Sequence, residues 1–332
     1  RKLRFVDGKP VNVVIGSGKR KKRVGRVIYT EPVRKAIRKI WKFYDFMCGK
    51  RLVPFIRMNL EILSYEPEFG IDEMVREKLA TVSPATVDRI LAPERKKLRI
   101  KGRSHTRPGP LLKHQIPVRT HYDWDDRKPG FFEIDTVGHD GGSSYGEYCC
   151  TLNATDVYSG WIELRALINR AHRWVKQQII DIRATLPFTL RGIDSDNGGE
   201  FINKQLVDYC NLKNIVFTRG RAYHKNDNCF VEQKNDLAVR RTVGYYRFDT
   251  IEEYEALKEV YTYLCPLLNF FYPSVRIIGK ERIGSQVRKV YDKPKTPYQR
   301  LIESNHVSKS EKEGLRKRAK SIQVVHQKRM VD

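Results

Sequence analysis

Residues 193–201, IDSDNGGEF, constrain the fold more than any other stretch of the chain. An apolar run over residues 188–193 ends in two acids, Asp194 and Asp196. Asn197, Gly198 and Gly199 then break the run, and a second apolar run with helical spacing starts at Phe201. The pattern predicts strand, tight turn and helix, with Asp196 at the C-terminal tip of the strand. In open α/β sheets ligands and chemistry gather at that edge. Taken alone, Asp196 has two readings. It is a turn residue, because Asp tolerates turn backbone and bonds within its own turn, or it is a functional carboxylate.

The surrounding sequence supplies the rest of a sheet. Residues 131–137 read as a strand ending in polar and glycine residues, GHDGGSS. Residues 147–156 form a second, nearly continuous in apolar or small side chains, turned by Tyr158, Ser159 and Gly160. In the third, residues 161–167, Ile162, Leu164 and Ala166 alternate with Glu163 and Arg165, the period-2 mark of a strand. Asn169 reads as the cap of a helix with Ala171, Val175, Ile179, Ile182 and Leu186 on one face, stopped by Pro187. The strand into Asp194 is the fourth, a helix runs from Phe201 through Leu206, Val207 and Cys210, and residues 215–218 are a short fifth strand. A polar loop, 219–228, leads into a helix beginning near Phe230. The order β-β-β-α-β-α-β-α describes an α/β fold, a mixed five-stranded sheet with helices on both faces, in the ribonuclease-H-like order.

Charge separates this middle from its flanks. The 332 residues carry a formal net charge of +25. Residues 1–130 hold 32 Lys+Arg against 14 Asp+Glu, residues 131–250 hold 15 of each, and residues 251–332 hold 17 against 10. Basic flanks around a neutral centre predict a polyanionic partner, nucleic acid above all. A membrane is disfavoured: the longest apolar stretch, 261–273, contains Pro266 and is shorter than the roughly 20 residues of a spanning helix. The basic, polar start carries no signal-peptide pattern, and beginning at Arg1 rather than Met it reads as a candidate fragment. Six cysteines without a C-x-x-C pair suit reduced, buried side chains in a cytoplasmic protein. Gly16, Ser17, Gly18 and Lys19 lack the spacing of a phosphate-binding loop.

Composition divides the chain into a basic tail (1–30, with KRKKR at 19–23), a helical region (31–94), a basic linker (95–128), the sheet-bearing core (129–273) and a basic C-terminal region (274–332). Within the helical region Glu31 and Pro32 start a helix with Val33, Ile37, Ile40, Trp41 and Tyr44 at helical spacing. Further on, SPATVDRIL (83–91) reads as a short helix capped by Ser83 with Pro84 in its first turn. Two readings stand for it. As the second helix of a helix-turn-helix it would point Thr86 and Arg89 toward DNA; otherwise it is an ordinary helix of an all-α domain. Lys96 and Lys97 open the linker and would track a phosphate backbone.

Three acids fall at chemically meaningful places. Asp135 lies in the first strand, Asp196 ends the fourth, and Glu232 lies in the first turn of the helix after the fifth, with 35 residues between Asp196 and Glu232. In the expected fold the first and fourth strands are neighbours and that helix packs across them, so the carboxylates converge. Converging carboxylates raise one another's pKa, and a hard divalent cation such as Mg²⁺ or Mn²⁺ relieves the repulsion. Glu133 and Asp194 share strand faces with the chosen acids; Asp194 fails on spacing and does not directly precede Asn-Gly. Asp156 and Glu200 read as turn supports.

The motifs EIDTVGH (133–139), ATDVYSGWIE (154–163), DSDNGGEF (194–201) and YHKNDNCFVEQKN (223–235) together resemble the D,D-35-E (DDE) catalytic core of retroviral integrases and bacterial insertion-sequence transposases. The likeness spans roughly residues 115–300, and KHQIPVRT (113–120) and TPYQRLIES (296–304) resemble segments of the bacterial branch. It implies metal-dependent phosphoryl transfer on two Mg²⁺ or Mn²⁺ ions held by Asp135, Asp196 and Glu232, with Asp135 bridging both. The reaction implied is hydrolytic nicking at element ends, then attack of the exposed 3′-hydroxyl on target DNA. Lys225, Lys234, Arg240 and Arg241 flank Glu232 as candidate DNA contacts. Retroviral integrases carry a zinc-binding His-His-Cys-Cys module ahead of the core; here Cys48 is the one cysteine before residue 149, so no zinc is expected. Double-stranded DNA as partner, a dimer or tetramer on paired ends, and a cytoplasmic, nucleoid-associated location follow from the same likeness. Two rivals share the fold: a domesticated DNA-binding protein that has lost cutting, which intact acids disfavour, and a ribonuclease-H-like nuclease without strand transfer, which the basic flanks and the 35-residue spacing disfavour.

Overall fold

The computed structural model describes residues 2–6, 9–13, 28–97, 128–196, 198–220, 231, 234–283 and 286–332. A hairpin of β1 (Lys2–Val6) and β2 (Lys9–Val13) precedes four helices, α1 (Glu31–Phe43), α2 (Gly49–Tyr65), α3 (Glu73–Thr81) and α4 (Pro84–Lys97). Helix α1 forms where the sequence places it: Pro32 occupies its first turn, and Val33, Ala36, Ile37, Ile40 and Trp41 are buried on one face. Helix α4 starts at Pro84 with the Ser83 Oγ accepting from the Thr86 N–H at 3.3 Å. It runs through Arg95, Lys96 and Lys97, so the first residues of the basic stretch form a last helical turn, where cations complement the helix dipole. The remainder of the linker, from residue 98 to 127, lies outside the described residues.

The central sheet is built from β3 (Phe131–Gly138), β4 (Cys150–Asp156), β5 (Ile162–Leu167), β6 (Gly192–Ser195) and β7 (Val216–Arg219), in the order β5-β4-β3-β6-β7. β4 pairs antiparallel with both β3 and β5. β6 is parallel to β3, and β7 to β6. This is the α/β, ribonuclease-H-like topology. Helices α5 (His172–Thr185) and α6 (Lys204–Leu212) are the crossover connections that lead into the parallel strands β6 and β7. Two local boundaries differ from the sequence pattern. Asn169 does not cap α5; its Oδ1 accepts from the Ala171 N–H at 3.0 Å, a turn of its own ahead of the helix. Helix α6 begins at Lys204, three residues after Phe201, because the Asn203 side chain takes the Leu206 N–H and fixes the start there.

Alternation along the strands sorts two cores. Phe132 and Ile134 of β3 join Val175, Ile179 and Ile182 of α5 and Leu206 of α6. Val137 of β3 and Ile162, Leu164 and Ala166 of β5 face the other side. There they meet the π-helical turn Asn235–Arg240 (continuing as Arg241–Val243, together α7) and α8 (Ile251–Pro266). That second core is continuous with the apolar faces of α1 to α4. A hairpin, β8 (Ile277–Ile283) with β9 (Gln286–Tyr291), and helices α9 (Pro297–Glu303), α10 (Lys309–Ser321) and α11 (Val324–Val331) complete the described chain. Helix α11 ties the two ends together: buried Lys328 pairs with Asp45 at 3.1 Å, and Arg329 with Glu66 and Glu68. Among the described residues no helix is long and apolar enough to cross a membrane.

Candidate active site

The period-2 alternation that sends Phe132 and Ile134 into one core sends Glu133 and Asp135 to the opposite face, under α7. Register sets Glu133 opposite Asp194 and Ile134 opposite Ser195 on the parallel neighbour β6, so Asp135 and Asp196 are the next pair along, at the C-terminal edge. Asp135 is half-buried and doubly held. One oxygen accepts from the Thr136 N–H at 2.8 Å, the other from the Asn235 side-chain amide at 2.6 Å. Asp196 is half-buried and accepts from the Gly198 N–H at 2.8 Å, the turn bond that its type favours. Glu200, from the same loop, accepts the Thr136 hydroxyl at 2.7 Å. A Cβ on Gly198 would stand 2.6 Å from Glu200 Oε2 and 2.9 Å from Asp196 Oδ1, so glycine is what lets both carboxylates crowd this turn.

Charge is concentrated here. Burial first, and then the Asp196 carboxylate, push Asp135 up to about 7, against the two hydrogen bonds that favour its ionised form. A pair of neighbouring carboxylates, one charge disfavouring the other, is a donor set that suits a hard divalent cation. Among the described residues no three His, Cys, Asp or Glu side chains gather closely enough to hold a metal. Glu232, the third expected acid, lies outside the described residues, as does Lys225. Its neighbours on either side are anchored: the Val231 N–H donates to Glu133 at 3.1 Å, and Asn235 reaches Asp135.

The acids set aside in the sequence have other work. Glu133 is buried and receives Val231. Asp194 is buried and accepts the Thr218 hydroxyl of β7 at 2.5 Å. Asp156 is buried at the end of β4, taking the N–H of Gly130 at 2.8 Å and both the N–H and hydroxyl of Ser159, at 2.7 and 2.5 Å. Burial lifts it to about 6 even so.

The expected DNA contacts divide between two places. Thr86 and Arg89 lie on α4, joined by a 3.1 Å bond from the guanidinium to the hydroxyl, with Arg89, Lys96 and Lys97 exposed. Near α7, Arg241 is exposed and paired with Asp236 at 3.2 Å. Arg240 donates to the Gly138 carbonyl at 2.8 Å and lies over the Tyr245 ring, a bracing role for the end of β3. Lys234 is half-buried; burial and then the Arg51 and Arg300 guanidiniums push it down to about 7.

Two residues of this site escaped the sequence pattern, Asn235 and Asn153. Asn153 stands on β4 directly across from Asp135 and donates to Asn235 Oδ1 at 2.7 Å. The one available signal was position: Asn235 follows Glu232 by three residues, which is one helical face.

Residues 125–225 match the Integrase core domain family. The Uncharacterized protein y4rM of Sinorhizobium fredii (strain NBRC 101917 / NGR234) is 38% identical over 274 residues, covering 82% of this chain and 78% of that protein. Among solved structures, the catalytic core domain of BIV integrase aligns over 53% of this chain and 96% of its own, at 18% identity and a TM-score of 0.34. The integrase core match spans Asp135 and Asp196, and the likeness to the Sinorhizobium protein extends over most of both chains; this chain belongs to the family of DDE transposase/integrase-like proteins.

Proposed function

We propose that the protein is a DNA transposase of the DDE type, which nicks element ends by hydrolysis and then joins the exposed 3′-hydroxyl to target DNA. The observation that carries this reading is the pairing of Asp135 with Asp196 at the C-terminal edge of adjacent parallel strands, close enough for one charge to hold up the other's pKa. Asp135 and Asp196, with Glu232, would hold two Mg²⁺ or Mn²⁺ ions. When bound, such ions would supply Lewis-acid stabilisation of the phosphoryl oxygens and of the attacking and leaving oxygens. The chain's own part is orientation. The Thr136 N–H and Asn235 fix the Asp135 carboxylate, and the Gly198 N–H fixes Asp196. Helix α4, through Thr86 and Arg89, is the proposed sequence-reading surface, with Lys96 and Lys97 at its end on the phosphate backbone. Lys225, Lys234, Arg240 and Arg241 are the proposed backbone contacts near the reacting phosphate. Paired ends call for a dimer or tetramer.

The test is Asp196→Asn assayed on DNA carrying the element's terminal sequences. Nicking in Mg²⁺ is expected to vanish while gel-shift affinity for those ends persists. A variant that still cuts at the wild-type rate removes Asp196 from the site.

A further inference from the structure

Asn153 lies in the β3–β4 register directly across from Asp135 and is fully buried. A buried amide in the middle of a sheet costs free energy unless its hydrogen bonds are made. Here they form a chain. The Thr155 hydroxyl donates to Asn153 Oδ1 at 3.1 Å. Asn153 Nδ2 donates to Asn235 Oδ1 at 2.7 Å and also reaches the Val231 carbonyl at 3.4 Å. Asn235 Nδ2 donates to Asp135 Oδ2 at 2.6 Å.

The direction of this chain is fixed by chemistry. The two ends of an amide have the same shape, so orientation has to come from the partners. A backbone carbonyl only accepts, and so the Val231 oxygen holds the Asn153 NH₂ on its side. That NH₂ demands the oxygen of Asn235, which leaves the Asn235 NH₂ facing Asp135. A lone amide next to a carboxylate would be free to rotate away; this one is locked from behind.

We infer that Asn153 and Asn235 form a one-way amide relay that orients the Asp135 carboxylate for a divalent cation. Asn153, whose side-chain hydrogen bonds among the described residues run to Thr155, Val231 and Asn235, acts through Asn235, and both are positioning residues. The inference rests on the reading of Asp135 as a cation-holding residue. Partners of metal-binding side chains typically change affinity by about 10–100-fold when removed.

The experiment measures Mn²⁺ binding to the full chain without DNA, by electron paramagnetic resonance of free Mn²⁺, alongside melting temperature. Asn153→Leu keeps the approximate side-chain volume and removes the donor; Asn235→Ala removes the link. Each is expected to weaken Mn²⁺ binding by about 10–100-fold. The double variant is expected to be no weaker than Asn235→Ala alone, because among the described residues the hydrogen-bonded path from the Asn153 side chain to the Asp135 carboxylate runs through Asn235. Folded variants that bind Mn²⁺ as the wild type does, or a double variant whose losses simply multiply, overturn the relay. If Asn153→Leu fails to fold, Thr155→Val and Asn235→Ala carry the same comparison. Asp135→Asn separates the two levels: if it leaves Mn²⁺ binding unchanged, the cation-holding reading of Asp135 itself fails, whereas if it abolishes binding and the amide variants do not, only the relay falls.

Discussion

Two carboxylates on neighbouring strands of one sheet, Asp135 of β3 and Asp156 at the C-terminal end of β4, show what separates an acid proposed to hold a cation from a structural one. Burial raises both, to about 7 and about 6. Asp156 receives three donors: the two from Ser159 close the turn between β4 and β5, and the one from Gly130 ties that turn to the start of β3. Asp135 receives two donors and has a second carboxylate, Asp196, beside it. The donors around Asp156 answer its charge within the fold. Around Asp135 the charge is left partly unanswered, and a like charge is added. Stability is given up there, as expected of a site built to receive something from outside the chain.

The sharpest way to break this comparison is to neutralise each acid in turn. Asp135→Asn should reduce Mg²⁺-dependent DNA cleavage by about a thousandfold or more, the scale of losing a group that acts on the transition state. In the metal-free protein two effects oppose each other: relief of the like-charge and burial penalty is worth roughly 1–3 kcal/mol at pH 8, and one amide oxygen cannot serve the donors on both sides, at about 1–3 kcal/mol, so the melting temperature should stay close to wild type. Asp156→Asn loses donors in the same way, at about 1–3 kcal/mol, with no neighbouring carboxylate to relieve, so its melting temperature should fall while cleavage by the fraction still folded stays close to wild type. Calorimetry and a cleavage assay on the two variants settle it; an equal fall in melting temperature in both would dissolve the distinction.

Titration gives the next largest effect. Asp135 has an ordinary value of 3.8 and is lifted to about 7 in the fold, so the native state binds its proton more tightly than the unfolded chain. Its contribution to stability is fully present below about pH 4 and is lost as pH rises toward 7. Metal-free protein should therefore lose stability through this group between about pH 4 and pH 7, and added Mg²⁺ should restore more at about pH 8 than at about pH 5. Thermal melts with and without Mg²⁺ check this. The Mg²⁺ increment should vanish in Asp135→Asn and survive in Asp156→Asn, because Asp156 is the structural acid of the two.

A smaller effect belongs to the turn beside Asp196. In Gly198→Ala the new methyl meets the ends of two flexible carboxylate side chains rather than backbone. The fold should accommodate it at a cost of about 1 kcal/mol, the centre of the range for single substitutions. Displacing Asp196 and Glu200 should still lower the cleavage rate by roughly tenfold, since small misplacements of reacting groups are costly. Unchanged cleavage would mean that neither carboxylate needs its present position.

Much of this was legible in order and spacing. The three antiparallel strands and the parallel extension follow from period-2 runs broken by glycine and polar turns, and Asp196 at a strand tip follows from an apolar run ending in Asp-Asn-Gly-Gly. Helix boundaries were less legible where side-chain caps decide them: Asn203 sets the start of α6, and Asn169 spends its oxygen on a turn before α5. The burial of Lys234 beside Arg51 and Arg300 was not legible at all, since those cations lie on distant segments that meet only in the packed chain.

The sequence by itself determined the fold class and the family and brought out Asp135 and Asp196 as candidates, because alternation, turn chemistry and motif spacing are local properties of the chain. Only the tertiary structure decided what each acid experiences. Asp196 as a turn acid and Asp196 as a site acid make the same bond to Gly198; what distinguishes them is Asp135 arriving on the adjacent strand, far away in the chain. The roles of Asn153 and Asn235 have the same origin. An amide carries no signal of direction until a carbonyl, a hydroxyl and a carboxylate from separate elements close around it.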